Sequence, residues 1–207
     1  SINDVVCGVV FLGIRLYMKS KNQDVDKKRG TKSTALVLLN TRNINGYKSV
    51  SEMVDKDPAA SWGNQFAFLH VSVPTPPDPE NPLSYVMKAR KLVRRTRNSA
   101  AVILTGKLLE RLRKLRGPEV TAKYIHSTLK NTSLTISNMV GPSEAMALNS
   151  HPVSGFYFMV VGNLTITVVS YADHVRMAVG TENGLIDAPK FKACLQNAFD
   201  SIHKSAL

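Results

Sequence analysis

Apolar and polar positions alternate along this chain in blocks that switch between helical and strand periods. An Asn-Asp pair, Asn3-Asp4, opens the first block. Asn3 is a good helix N-cap, and Asp4 falls in the first turn, where the helix dipole favours an acid. Apolar residues continue to about Met18, then a polar loop runs from Lys19 to Ser33. Thr34 to Thr41 is uninterruptedly apolar, which predicts a strand buried on both faces. Arg42 to Ser61 reads as loop, with little pattern legible. Gln65 to Val73 reads as a second strand. Pro74, Pro76, Pro77, Pro79 and Pro82 then crowd one stretch and predict a stiff, extended connection. Pro82 suits the first turn of a helix running through Arg97. A second helix is expected from Ser99 to Leu115, ending before Gly117-Pro118, and a third from Glu119 to Leu129.

The pattern then changes to a period of two. Strands are predicted at Ser133–Asn138, Phe156–Val161, Thr165–Tyr171 and Val175–Val179. Gly162-Asn163 reads as the hairpin turn between the second and third of these, and a long turn spans Met139 to Ser154. A last helix opens at Asp187–Pro189, with Ala188, Phe191, Cys194, Leu195, Ala198, Phe199 and Ile202 on one face. No internal repeat is visible. Strands mixed with helices in this way predict an α/β sandwich built on a mixed sheet. The 207 residues suit one domain, or one lobe of a two-lobed protein.

Charge refines the picture. Between Leu83 and Arg116 eleven basic residues face one acid, Glu110, so that segment holds ten of the chain's net +12. The basicity is a local device. Leu104, Leu108, Leu112 and Leu115 recur at helical spacing, while Lys107, Arg111, Arg113, Lys114 and Arg116 fill the other faces. That is the pattern of an amphipathic helix at an anionic membrane surface, or of a site for phosphates. Nucleic-acid binding is the competing use of such charge. It is not expected here: Leu104–Arg116 has no aromatic residue, and no helix-turn-helix, zinc-finger or RNA-binding signature is present. The longest apolar run, Val5 to Ile14, would span about 15 Å as a helix, half of a hydrocarbon core of about 30 Å. Cys7 and Cys194 both fall in apolar helical patterns and are read as buried free thiols, which suits the cytosolic side of a membrane. No Cys/His/Asp/Glu spacing suggests a metal site.

Four motifs in order carry a family resemblance. They are Ile2-Asn3-Asp4-Val5-Val6; Ala35-Leu36-Val37-Leu38-Leu39-Asn40-Thr41-Arg42; Ser137-Asn138-Met139-Val140-Gly141-Pro142; and Ser170-Tyr171 with Gly180 and Asp187 downstream. Together they resemble the C-terminal half of the bifunctional wax ester synthase/diacylglycerol acyltransferase family, in its plant branch. The resemblance implies a lobe like the C-terminal half of the chloramphenicol acetyltransferase and condensation-domain fold, with a tunnel against a second lobe. It also implies acyl transfer from acyl-CoA, as substrate and with no cofactor, to a fatty alcohol or diacylglycerol. A histidine would act as base and an oxyanion would need stabilising. That family's His-His-x-x-x-Asp-Gly signature is not found. The five histidines, His70, His126, His151, His174 and His203, are all isolated from one another. The chain is therefore expected to be a single C-terminal lobe, inactive without an N-terminal one. It is expected peripherally on the cytosolic face of the endoplasmic reticulum or plasma membrane. Asn138, with Ser137 and Gly141, is the candidate near the substrate tunnel. Asn3 and Asp4 are given a structural role. Lys107, Arg111, Arg113, Lys114 and Arg116 are the candidates for membrane or CoA-phosphate contact.

Overall fold

The computed structural model describes residues 1–21, 33–40, 66–74, 80–160 and 162–207. Most of the predicted loops at Lys19–Ser33 and Arg42–Ser61, and most of the proline-rich connection, lie outside the described residues. Five strands form one sheet in the order β2-β1-β3-β6-β7. They are β1 (Thr34–Asn40), β2 (Phe66–Ser72), β3 (Leu134–Met139), β6 (Leu164–Tyr171) and β7 (His174–Thr181). β3 pairs in parallel with β1 and β6, whereas β2 and β7 close the two ends antiparallel. The sheet is mixed, as expected. Parallel neighbours need crossovers, and the β2-to-β3 crossover contains α2 (Pro82–Arg97) and α3 (Ala100–Lys130).

Three helices cover one face of the sheet: α1 (Ile2–Ser20), α2 and α4 (Ala188–Ala206). Phe11, Val10, Tyr85, Ala89, Phe191 and Ala198 from these helices meet Val37, Leu69, Val71, Ile136, Ile166 and Val168 in one core. Glycines set the closeness of the helix crossings. A β-carbon at Gly8 would lie 2.8 Å from the α-carbon of Val86 on α2, and one at Gly13 would lie 2.6 Å from Leu195 Cδ2 on α4.

The ends of the helices follow local chemistry. Pro82 occupies the first turn of α2, and the Asn81 side chain accepts the Leu83 N–H at 3.0 Å. Asp187 caps α4 by accepting the Lys190 N–H at 3.1 Å. At α1 the cap is Ser1 and not Asn3. Asp4 is the third helical residue; its N–H donates to the Ser1 carbonyl at 2.9 Å and its carboxylate accepts from the Ser1 nitrogen at 3.0 Å. That three-residue reach leaves Asn3 inside the first turn. The expected break at Gly117-Pro118 is present. Gly117 adopts φ 83° and ψ 172°, so α3 is two helices joined at a kink.

Other expectations differ. Phe156–Val160 forms no ladder, and Val161 lies outside the described residues. Both edges of β6 are already taken by β3 and β7, so this segment crosses the open face of the sheet instead. The Thr165 hydroxyl donates to the Val160 carbonyl at 3.0 Å, and that of Thr167 to the Phe158 carbonyl at 2.5 Å. Gly162-Asn163 is therefore a corner and not a hairpin turn. Within the long turn, β4 (Ala147–Leu148) and β5 (His151–Pro152) form a small hairpin around Asn149 and Ser150, both with positive φ. On α4, Phe199 faces outward, 48% exposed and stacked on His203, while Phe191, Cys194, Leu195, Ala198 and Ile202 are buried.

Candidate functional site

Two features gather the chemistry-bearing residues: a clasp at the carboxyl ends of β3 and β6, and a cationic helical surface on α2 and α3.

The clasp joins two of the sequence motifs. The Gly141 N–H donates to Ser170 Oγ at 3.1 Å, and the Ala172 N–H to the Pro142 carbonyl at 3.1 Å. Tyr171 then holds the excursion that follows. Its hydroxyl accepts the Met146 N–H at 2.8 Å and donates to the Val153 carbonyl at 2.8 Å, and its ring lies 5.1 Å from that of Phe156. A β-carbon on Gly141 would fall 2.0 Å from the Ser170 carbonyl oxygen, so the turn admits no side chain. Gly180 is also close to its neighbours, but to side-chain ends: an added β-carbon would lie 2.6 Å from Met159 Cε and 2.8 Å from Thr165 Oγ1.

Ser137 and Asn138 stand beside the clasp but point apart, as neighbours on a strand must. Ser137 is buried and pairs in register with Thr167, on the face that also holds Thr135 and Thr165. Asn138 shares the face of Ile136, opposite Val168, and is half-buried at the strand's end. No hydrogen bond ties its carboxamide to another described residue. Asn3 is in the first turn of α1, far along the chain from this site. The Asp4 carboxylate accepts from the Ser1 nitrogen and lies near enough to Arg90 to feel its positive charge.

The cationic surface has two parts. On α3, Lys107, Arg111, Arg113, Lys114 and Arg116 are all exposed. Leu104, Leu108 and Leu115 are exposed as well, at 64%, 52% and 81%. The leucine stripe is therefore not packed into the core beneath the sheet. Lys114 is paired with Glu110 at 2.7 Å, and that bond and charge hold the Glu110 carboxyl below its ordinary value. On α2, an open groove of about 400 Å³ is lined by Met87, Arg90, Lys91, Arg94, Arg95 and Asn98. Sequence reasoning counted these cations without assigning them a site. Their i, i+3, i+4 spacing, set against the buried Tyr85, Ala89 and Val93, was the signal that places them on one outward face. Among the described residues, no three His, Cys, Asp or Glu side chains converge as a metal site, and no helix is long and apolar enough to cross a membrane.

Comparison with known proteins agrees with this architecture. Residues 62–203 match the family model described as the WS/DGAT C-terminal domain. Wax ester synthase/diacylglycerol acyltransferase 4 of Arabidopsis thaliana is 31% identical over 203 residues, covering 91% of this chain and 38% of the relative. Number 6 of the same plant is 27% identical, covering 91% of this chain and 40% of the relative. The chain thus spans about two-fifths of the length of these relatives. Among solved structures, the Marinobacter aquaeolei VT8 wax ester synthase/diacylglycerol acyltransferase matches with TM-score 0.54 at 18% identity, over 100% of this chain and 44% of that one. The condensation domain of the enacyloxin polyketide synthase matches with TM-score 0.51 at 10% identity, over 99% of this chain and 36% of that one. The expected likeness to the condensation-domain fold is borne out.

Proposed function

This chain belongs to the WS/DGAT C-terminal domain family, and from that premise we propose that it is the second lobe of an acyl-CoA-dependent O-acyltransferase that esterifies long-chain alcohols or diacylglycerol. The family match, together with relatives that align over 91% of this chain, is the observation that carries the reading.

In the proposed reaction a histidine base on the N-terminal lobe takes the proton of the acceptor hydroxyl. The freed oxygen attacks the thioester carbonyl, a tetrahedral oxyanion forms, and the CoA thiolate leaves with a proton returned from the base. The part of this chain is to stabilise and to position. Asn138 supports such a role: its carboxamide is unengaged by described residues and stands where β3 ends, beside a turn held rigid by Ser170 and Tyr171. Ser137 and Gly141 would serve as wall and turn of the same site. The lobe also presents apolar surface suited to a partner. Met139, Val140, Leu148, Tyr157 and Met159 are 52%, 81%, 76%, 68% and 51% exposed around the clasp and the β4–β5 hairpin.

We further propose peripheral attachment to the cytosolic face of the endoplasmic reticulum or plasma membrane through α3. Its exposed Leu104, Leu108 and Leu115, with Lys107 and Arg111 beside them, suit the boundary of an anionic bilayer.

Acyl transfer by the full-length protein tests the main reading. Radiolabelled palmitoyl-CoA would be supplied with hexadecanol or, separately, with diacylglycerol. Product with either acceptor, abolished when an upstream His-His motif is changed to alanine, is the expected result and selects the substrate. A well-folded full-length protein that yields neither ester would refute it in favour of a non-catalytic protein that uses its basic surface for binding.

A further inference from the structure

The groove on α2 has a composition that solvation alone does not explain. Arg90, Lys91, Arg94 and Arg95 line it with Met87 at one end and Asn98 at the other. Arg90 and Arg94, and likewise Lys91 and Arg95, are four residues apart, where like charges repel along a helix. A solvated helical face relieves such repulsion by placing acids at the same spacing. α3 does so with Glu110 and Lys114, 2.7 Å apart. From Pro82 to Arg97 α2 has no acid at all. The helix dipole favours Arg94, Arg95 and Arg97 in the last turn but does not reach Arg90 or Lys91. Asp4 lies close enough to feel the charge of Arg90, yet its carboxylate is engaged by Ser1 at 3.0 Å. None of the four lining cations forms an ion pair with a carboxylate of a described residue. The opposite side of the helix is fixed in the core by Tyr85, Ala89 and Val93, so the four cations are displayed on a rigid support.

We propose that the outward face of α2 binds a phosphorylated ligand, with phosphate oxygens held by the guanidinium groups of Arg90, Arg94 and Arg95 and by the Lys91 ammonium. Guanidinium forks match phosphate oxygens in pairs, and a groove of about 400 Å³ accommodates one or two phosphoryl groups. Met87, 62% exposed, adds an apolar contact for the organic part. Two sources offer this chemistry: the nucleotide phosphates of a CoA thioester, and the headgroup of an anionic phospholipid. The first rests on the acyltransferase reading; the second does not. Nucleic acid is disfavoured, because no aromatic side chain lines the groove for base stacking.

Binding by the full-length protein tests the proposal independently of turnover. The probes are CoA, 3′-dephospho-CoA, phosphatidylcholine vesicles with and without phosphatidic acid, and a single-stranded oligonucleotide. The groove variant Arg90→Gln/Arg94→Gln is compared with Lys192→Gln/Lys204→Gln, which removes the same charge from the exposed side of α4. Circular dichroism checks that both fold, and Arg95→Glu alone serves if the first does not. The expected result is that CoA or the phosphatidic acid vesicles bind, that the groove variant weakens this by about tenfold or more, and that the α4 variant changes it by less than about twofold. The probe that shows this pattern identifies the source, and a smaller loss with 3′-dephospho-CoA would place the 3′-phosphate in the groove. Absence of binding to both probes, a smaller separation between the two variants, or an effect confined to the oligonucleotide would overturn the proposal.

Discussion

Tyr171 shows how one side chain can fix a long loop. Its hydroxyl is the only partner seen for the Met146 N–H and the Val153 carbonyl among the described residues, both at 2.8 Å, while the ring is buried beside Phe156. Tyr171→Phe keeps the packing and leaves both groups unpaired. The expected cost is about 1–3 kcal/mol, read as a lower urea midpoint with an unchanged slope. A loss below about 0.5 kcal/mol would show that water replaces the hydroxyl at no cost. Cys7 yields a prediction of the opposite kind. Burial first, and the charge of Asp4 second, push its thiol up from 9.0 to about 12. In the unfolded chain the thiol ionises first as pH rises. Its contribution to stability is therefore complete below about pH 9 and is lost as pH climbs toward 12, at about 1.4 kcal/mol per pH unit. Between pH 8 and 10.5, stability should fall less steeply in Cys7→Ala than in the parent chain. Parallel slopes would mean that Cys7 is already solvated in the native state. That both cysteines are buried and unbonded was legible from their apolar surroundings in the sequence.

At the scale of elements, helix spacing is set by two glycines that are not interchangeable. A methyl group at Gly8 meets the Val86 main chain, with Cα at 2.8 Å and N at 3.0 Å, and neither can move without shifting α2. At Gly13 the nearest atom is the end of the Leu195 side chain, at 2.6 Å, with its Cα farther away at 3.3 Å. Gly8→Ala is therefore expected to cost about 1–3 kcal/mol and Gly13→Ala distinctly less, measured as thermal midpoints of the two variants. Equal losses would mean that the helices part at both crossings. Gly117 adds a backbone case. Open space surrounds its α-carbon, but φ 83° with ψ 172° is a region that essentially only glycine enters. The sequence announced this break because Gly-Pro leaves a helix no continuation. It announced α2 as clearly, through Asn81, Pro82 and the run of residues to Arg97. It misassigned Phe156–Val160, whose β-like composition is real. Whether a strand finds a partner depends on which edges are free, and β3 and β7 occupy both edges of β6.

For the whole molecule, periodicity located nearly every described helix and sheet strand, whereas the disposition of surfaces stayed hidden. The eleven cations between Leu83 and Arg116 could be counted, but only the packing of Tyr85, Ala89 and Val93 showed which side of α2 they share. The leucines of α3 could be spaced, but not assigned to core or surface, because an unpaired helix and a packed one have the same period. The β4–β5 hairpin escaped notice for a similar reason: two residues per strand leave no alternation to detect. Its position is what gives it consequence. Leu148 is 76% exposed beside its turn, Met139 and Val140 at the end of β3 are 52% and 81% exposed, and no described residue covers Leu148. If Leu148 meets the other lobe, a charge there should separate folding from assembly. Leu148→Arg is expected to leave the thermal midpoint of the isolated chain unchanged within about 0.5 kcal/mol, as for an exposed position. In the full-length protein it should lower acyl transfer about tenfold or more, since a buried, unpaired charge at an interface costs several kcal/mol. Full activity with Leu148→Arg would show that Leu148 faces solvent in the assembled protein and that the lobes meet elsewhere.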